Sequence, residues 1–398
     1  MLGGETMKTY SFVTAKKILF GVGAVEQLGR ELKDIGAKKI AIITDAVIKK
    51  VGALDKVTGM LEKGGFDYAV WDKVEPEPAL EVGEAAIQFT REGKYDSVIG
   101  LGGGSVMDTA KAAAVSITNP GSLKGWVKEV FEKPLAPLVL IPTTSGTGSE
   151  VSNAAVFATP EVKYVLYSSL MYPDIALVDP ELTRTVPART TANTGIDALC
   201  HAIEAYVSLK ANPITDALAV EAMSLVAENL RAAYAYGDNM EARSGMSLAS
   251  LMAGLAFGNA GTVIGHACGY AYVYPATKFH FPHGYSIAIT MPYVLEYNAI
   301  SNLQKHATIA ELLGEPTSEL SLREAAFRSA LAFKKLLVDL NMPTSIKEVG
   351  VTKDMIPSIA KNVFKSTAHV ARNPRKVTEE GMVRLFEKAY EGKLECGT

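Results

Sequence analysis

Apolar residues along the first 180 positions fall into short, β-branched runs separated by longer stretches in which they recur every three or four residues. The short runs read as buried strands and the stretches between them as amphipathic crossover helices, a pattern that predicts a parallel sheet with helices on its faces. Strands are expected at 38–44, 67–71, 97–101, 137–141 and 174–178, each followed by turn chemistry or a helix-capping residue. Beyond Pro187 the period changes: stretches 191–209 and 213–234 place apolar residues at helical intervals, and strand-like runs become scarce. The expected fold class is therefore α/β plus all-α, with an α/β domain over residues 1–187 and an all-helical domain over residues 188–398.

A chain of 398 residues exceeds what one hydrophobic core usually organises, which agrees with two domains and leaves room for a cleft between them. With 48% hydrophobic and 21% charged residues the composition is that of a globular protein. A formal net charge of -3 and the lack of any long Lys and Arg block argue against a nucleic-acid partner. No apolar run reaches the roughly 18 residues of a membrane span, and the opening residues lack the basic start and apolar centre of a signal peptide. Three scattered cysteines, Cys200, Cys268 and Cys396, give no paired spacing for disulfides. A reducing, cytoplasmic setting is expected.

The run Gly100-Leu101-Gly102-Gly103-Gly104-Ser105 ends a strand and leads into a helical stretch from Val106. Without β-carbons, such a loop lets backbone N–H groups approach phosphate oxygens, and the helix start adds a favourable partial charge. It is not the Rossmann G-x-G-x-x-G, because Ser105 takes the third glycine's place, and no acid follows about 20 residues later to hold a ribose. A plain tight turn, with Ser105 as N-cap and Asp108 closing a capping box, accounts for the same residues. Asp45, at the end of an earlier strand, offers a carboxylate for ribose hydroxyls that would repel a 2′-phosphate; an ordinary helix N-cap is the alternative. The stretch 142–150, rich in Thr, Ser and Gly, either closes over a dinucleotide or is a loop.

Six histidines are present, and three of them fall in Asp197-x-x-x-His201, Gly265-His266 and Pro282-His283-Gly284. Asp197 and His201, four apart in a helical stretch, project from one face and can share a cation; the pair is equally compatible with a surface contact. Three imidazoles and a carboxylate suit Fe²⁺ or Zn²⁺ far better than Mg²⁺ or Ca²⁺. Cys200 and Cys268, beside the candidate ligands, read as packing residues, with competition for the metal as the alternative, and Glu204 as either an acceptor behind the ligands or a solvent-facing acid.

In this order the motifs resemble the iron-containing (group III) alcohol dehydrogenase family: KKILFGVGAVEQLG (16–29), ITD (43–45), GLGGGSVMDTAK (100–111), IPTTSGTGSEVS (141–152), PDIALVDPELT (173–183), TGIDALCHAIEAYVS (194–208) and FHFPHG (279–284). The resemblance implies a dinucleotide-binding parallel-sheet domain followed by a helical metal-binding domain, the architecture shared with dehydroquinate synthase. It implies metal ligands Asp197, His201, His266 and His283, with Fe²⁺ the expected metal and Zn²⁺ the alternative. For the cofactor it implies Gly102, Gly103, Gly104 and Ser105 at the pyrophosphate, Thr143, Thr144 and Thr147 in a hydroxyl-rich loop, Lys163 near the ribose, Asp108 near the nicotinamide, and Asp45 favouring NAD over NADP. The implied activity is transfer of hydride between an alcohol or aldehyde and the nicotinamide, in a homodimer. His280 is the first candidate to relay the proton and Tyr270 the second.

Two departures stand out. Where family members often carry Asn-Pro, this chain has Glu77-Pro78, and the segment from His266 to His283 is about three residues longer than usual. Counted back from His283, the relay position falls on Val273 instead of Tyr270. A metal- and NAD-dependent lyase or cyclase of the dehydroquinate synthase type is the alternative function, although residues 190–290 hold few of the basic residues its substrate would require: Arg231, Arg243, Lys210 and Lys278.

Overall fold

The computed structural model describes residues 9–126, 131–159, 163–273 and 281–395. Six strands form one parallel sheet, in the order β1 (Lys17–Phe20), β8 (Ile175–Val178), β5 (Leu138–Pro142), β4 (Ser97–Gly102), β2 (Lys39–Ile43), β3 (Asp67–Trp71). Its central strands are apolar on both faces: every residue of β4 and β5 is buried. Alternate side chains serve two cores. Ile40, Ile42, Ile99, Leu101, Val139 and Ile141 point to one face. Ala41, Ile43, Val98, Leu138 and Leu140 meet Val106, Met107 and Ala110 of helix Gly104–Thr118 on the other. Burying each such Ile or Leu contributes about 1.5–3 kcal/mol.

The five expected strands are present to within a residue or two at their ends, and three more occur. β1 is a four-residue edge strand, while β6 (Ala154–Ala158) and β7 (Lys163–Tyr167) form a separate antiparallel hairpin. From β4 the chain proceeds to β5 on one side, whereas β2 and β3 lie on the other, so connections diverge between β2 and β4. The crevice at such a switch point, outside the carboxyl ends of the strands, is where open α/β sheets bind ligands. Here it is bordered by Asp45 and the glycine loop, with Ile43 beside Gly100 and the Thr44 hydroxyl donating to the Leu101 carbonyl at 2.8 Å.

After residue 187 the described residues form helices and turns only. Helix Ala188–Val207 runs through the centre of this half, buried almost continuously from Thr191, and packs against helices Pro213–Ala235, Met240–Ala260 and His283–Asn298. No single helix among the described residues is long and apolar enough to cross a membrane.

Candidate active site

The glycine loop ends β4 and starts helix Gly104–Thr118, whose N-cap is Gly103 with no side chain bonded to the first turn. The capping box considered for Ser105 and Asp108 is not formed. The Ser105 hydroxyl accepts from the backbone N–H of Glu77 at 3.1 Å, and Asp108 turns inward. No side chain thus caps the start of this 15-residue helix at the switch point, and while the Val106 N–H turns back to the Gly103 carbonyl at 3.0 Å, an uncapped helix start of this kind is suited to receive a pyrophosphate. Glu77, in place of the usual Asn, holds a left-handed backbone (φ 51°) beside this loop.

Asp45 is the N-cap that the sequence offered as one reading of its position. Its Oδ1 accepts from Val47 and Ile48 at 2.8 and 2.9 Å, capping helix Ala46–Lys50, while the half-buried carboxylate stays at the crevice. Thr143 is buried, its N–H donating to the Gly102 carbonyl at 3.0 Å, and Thr144 and Thr147 lie half-buried over the glycine loop. A β-carbon on Gly104 would come within 2.7 Å of the Thr147 side chain, so the two loops touch only because Gly104 lacks one.

Beneath these loops lies a buried ionic cluster. The fully buried Lys111 donates to Ser149 Oγ at 2.8 Å, Ser152 Oγ at 3.1 Å and the Ala154 carbonyl at 2.7 Å. Asp108 accepts from Ser149 Oγ at 2.7 Å and the Val156 N–H at 2.9 Å, and lies 3.8 Å from Lys111. Burial lowers Lys111 to about 8 despite Asp108 and Glu150, and raises Asp108 against the pull of Lys111. Asp108 therefore ties helix Gly104–Thr118 to the Ser149 turn and to β6. Lys163 begins β7; its side chain lies outside the described residues.

In the helical half, beside the loop after β5 that His201 touches at Gly146, Asp197, His201, His266 and His283 each offer a ligand atom, all within 4.8 Å of one another. Asp197, His201 and Glu204 project at successive turns from the buried face of helix Ala188–Val207. His266 comes from helix Ile264–Val273, and His283 opens helix His283–Asn298 after Pro282. Gly284 serves close approach and not unusual backbone freedom: a β-carbon there would lie 2.2 Å from the Asn193 carbonyl and 2.8 Å from Asp197 Cβ. That contact brings His283 Nε2 to 3.9 Å from Asp197 Oδ1. A tetrahedral ion with bonds near 2.1 Å spaces its donors roughly 3.4 Å apart, so small side-chain rotations close the set on one cation. A hard-plus-imidazole set of this kind fits a divalent iron or zinc ion.

The groups behind the ligands fix their direction. Glu204, fully buried, accepts from the N–H of Val263 at 2.9 Å and the N–H of His266 at 3.1 Å and meets the His266 ring at Nδ1; with the carboxylate ionised, Nδ1 donates and Nε2 is left for a metal. Burial pushes Glu204 up to about 8, opposed by His369 and these N–H groups. His201 Nδ1 donates to the Gly146 carbonyl at 3.3 Å, and its ring stacks on Phe257 with centroids 4.3 Å apart. Burial holds His201 well below the usual imidazole range, with His266 adding to the effect.

Of the relay candidates, Tyr270 stacks on His283 with centroids 5.4 Å apart and meets His266 edge-on at 6.1 Å. Val273 packs at the edge of the helical core. His280 lies outside the described residues. The sequence reading missed Phe257 and His369. The His369 ring lies parallel to His266 at 6.1 Å and edge-on to Tyr270 at 6.0 Å, and burial lowers it to about 4. Being one of only six histidines was the sole sequence signal for His369.

Two family models match the chain: iron-containing alcohol dehydrogenase over residues 15–180, and the C-terminal part of the Fe-containing alcohol dehydrogenase family over residues 191–390. Long-chain-alcohol dehydrogenase 1 of Geobacillus thermodenitrificans is 41% identical over 378 residues, covering 94% of this chain and 95% of that one. The NAD-dependent methanol dehydrogenase of Bacillus methanolicus is 39% identical over 376 residues, covering 93% and 97%. Among solved structures, that of a 1,3-propanediol oxidoreductase superposes with a TM-score of 0.92 at 36% identity, covering 96% of this chain and 100% of that one.

Proposed function

The chain belongs to the iron-containing alcohol dehydrogenase family, and from that premise we propose an NAD-linked enzyme that holds Fe²⁺ through Asp197, His201, His266 and His283 and acts on small uncharged alcohols and aldehydes. Its reaction class is hydride transfer between an alcohol or aldehyde and a nicotinamide cofactor, which sets aside the lyase alternative. The observation that carries the site assignment is the convergence of four metal-type donors in the helical half, with a helix start that no side chain caps in the sheet half. When bound, the metal supplies Lewis-acid polarisation of the substrate oxygen and the nicotinamide accepts or returns the hydride.

The protein's own groups have distinct parts. Gly102, Gly103, Gly104 and Ser105 present backbone N–H groups to the pyrophosphate, and Thr143, Thr144 and Thr147 cover the dinucleotide, with Lys163 at its ribose. Asp45 places negative charge where NADP would carry its 2′-phosphate, so NAD is the preferred cofactor. Asp108 serves the nicotinamide end by seating the Ser149 turn. Glu204 keeps the His266 proton on Nδ1. The rings of Phe257 and Tyr270 form an apolar wall beside the ligands, which excludes water and suits an uncharged substrate chain. His280, with Tyr270 second, returns the proton to the alcohol oxygen. The reading extends to a division into domains at 187/188 and to a cytoplasmic homodimer.

Purified protein reconstituted with Fe²⁺ or Zn²⁺ and offered a series of primary alcohols with NAD or NADP tests the assignment. Metal-dependent NADH formation, lost on Asp197→Ala together with bound metal, is the expected result. Turnover unaffected by stripping the metal overturns it.

A further inference from the structure

We infer that the backbone carbonyl of Gly146, in the loop that covers the dinucleotide, is a positioning group for metal ligand His201, so that binding of dinucleotide and metal reinforce one another. The inference rests on the cofactor and metal sites proposed above and adds a coupling between them.

The loop after β5 belongs to the sheet half, yet three contacts fasten it to the helical half. His201 Nδ1 donates to the Gly146 carbonyl at 3.3 Å in a buried setting, across 55 positions of sequence. Ser145 and Ser247 share a hydrogen bond at 3.0 Å. At Gly148 (φ 58°) the loop backbone lies against helix Met240–Ala260: a β-carbon there would be 2.4 Å from Gly254 Cα. Gly146 itself has no room either, since a β-carbon would come within 2.7 Å of Thr194 Cβ, 2.8 Å of its carbonyl oxygen and 2.9 Å of its Cα. Thr194 and His201 share helix Ala188–Val207, so the seat of Gly146 on Thr194 sets the carbonyl's distance from the imidazole.

A carbonyl oxygen only accepts, so this contact places the His201 proton on Nδ1 and turns Nε2 toward the other donors. Phe257 on the ring's face leaves rotation about the ring plane to be fixed by the carbonyl. Glu204 does the same for His266, but from within the helical half. The two orienting groups therefore differ: one lies within the helical half, and the other belongs to a loop of the sheet half whose other side, Thr144 and Thr147, faces the glycine loop. A dinucleotide seated between these loops stabilises the position in which the carbonyl meets His201. By reciprocity the metal, by holding His201, stabilises the loop for the dinucleotide.

The test uses Co²⁺, whose visible absorption reports coordination, on the full chain after chelation, with NADH to avoid charge repulsion between the metal and an oxidised nicotinamide. Co²⁺ should bind about 10-fold more tightly at saturating NADH, the scale of losing an orienting partner of a ligating histidine. Calorimetry should find NADH affinity raised by the same factor on loading Co²⁺. Gly146→Ala, which must lift the loop off Thr194, should weaken Co²⁺ binding and bring that factor to one. Ser247→Ala loosens the same loop from a residue outside both sites and should shrink the factor, which keeps the test decisive if Gly146→Ala does not fold. Equal Co²⁺ affinity with and without NADH in the wild-type protein overturns the coupling while leaving the metal site standing. So does an unchanged factor in both variants. Failure of Co²⁺ to bind at all overturns the four-ligand site, and the coupling with it.

Discussion

Replacing Glu150 by glutamine tests how the cofactor loop is seated, through the pH dependence of stability. The carboxyl is 2% exposed, and burial pushes it up to about 7 from 4.5, against the pull of its own backbone N–H and the Lys111 charge. The folded protein thus holds this proton more tightly than the unfolded chain does. The stability it contributes is complete below pH 4.5 and is lost as pH rises through 7. A gap of roughly 2.5 pH units is worth about 3 kcal/mol over the whole window, of which about 2 kcal/mol falls between pH 5 and 7.5. Glutamine keeps the size and does not titrate, so Glu150→Gln should lose about 2 kcal/mol less than the wild type between these pH values. Urea denaturation of metal-free protein at each pH measures this directly, because the two tryptophans, Trp71 and Trp126, both lie in the sheet half with Glu150. Equal losses in the two proteins would mean that the carboxyl is ionised across the range and that Lys111 compensates its burial in full.

Four further substitutions address the two sites. Glu204→Gln leaves the four ligands in place but gives His266 a weaker partner, so Co²⁺ affinity should fall roughly 10- to 100-fold; an unchanged titration removes Glu204 from the metal site. Asp45→Ser keeps a cap on helix Ala46–Lys50 and removes the charge, so the ratio of kcat/KM for NADP to that for NAD should rise at least about 10-fold with little loss of stability. A wild type that already prefers NADP refutes the reading of Asp45. His280→Ala should lower kcat at least about 10-fold while metal content stays near that of the wild type. If Tyr270→Phe shows that loss and His280→Ala does not, the proton passes through Tyr270.

Legibility of this protein in its sequence divides along a physical line. Central strands such as β4 and β5 announce themselves because burial on both faces demands unbroken apolar runs. β1 has four residues of which none is buried, and β6 is largely alanine, so neither carries such a run; their pairing comes from register with β8 and β7. Asp45 posed a choice between helix cap and cofactor acid; the structure shows the cap, made by one oxygen that accepts from both helix N–H groups, and leaves the other oxygen out of it. The four converging donors were legible because a metal-type set needs particular side chains, and Asp197 and His201 share a helical face by spacing alone. What orients them was legible only in part: Glu204 stood open between an acceptor behind the ligands and a solvent-facing acid. Glu204 reaches the N–H groups of residues 59 and 62 positions away, and its role depends on where helix Ile264–Val273 packs. Gly146 acts through a carbonyl that every residue possesses; only its lack of a β-carbon against Thr194 makes that carbonyl available to His201. A site's reactive atoms are therefore spelled by residue type, whereas their aim is set partly by packing that places Glu204 against His266 and partly by a backbone carbonyl that no residue type encodes. Substitutions at Gly146 and Gly284, neither of which supplies a ligand atom, should for that reason disturb metal binding as surely as loss of a second-rank partner such as Glu204.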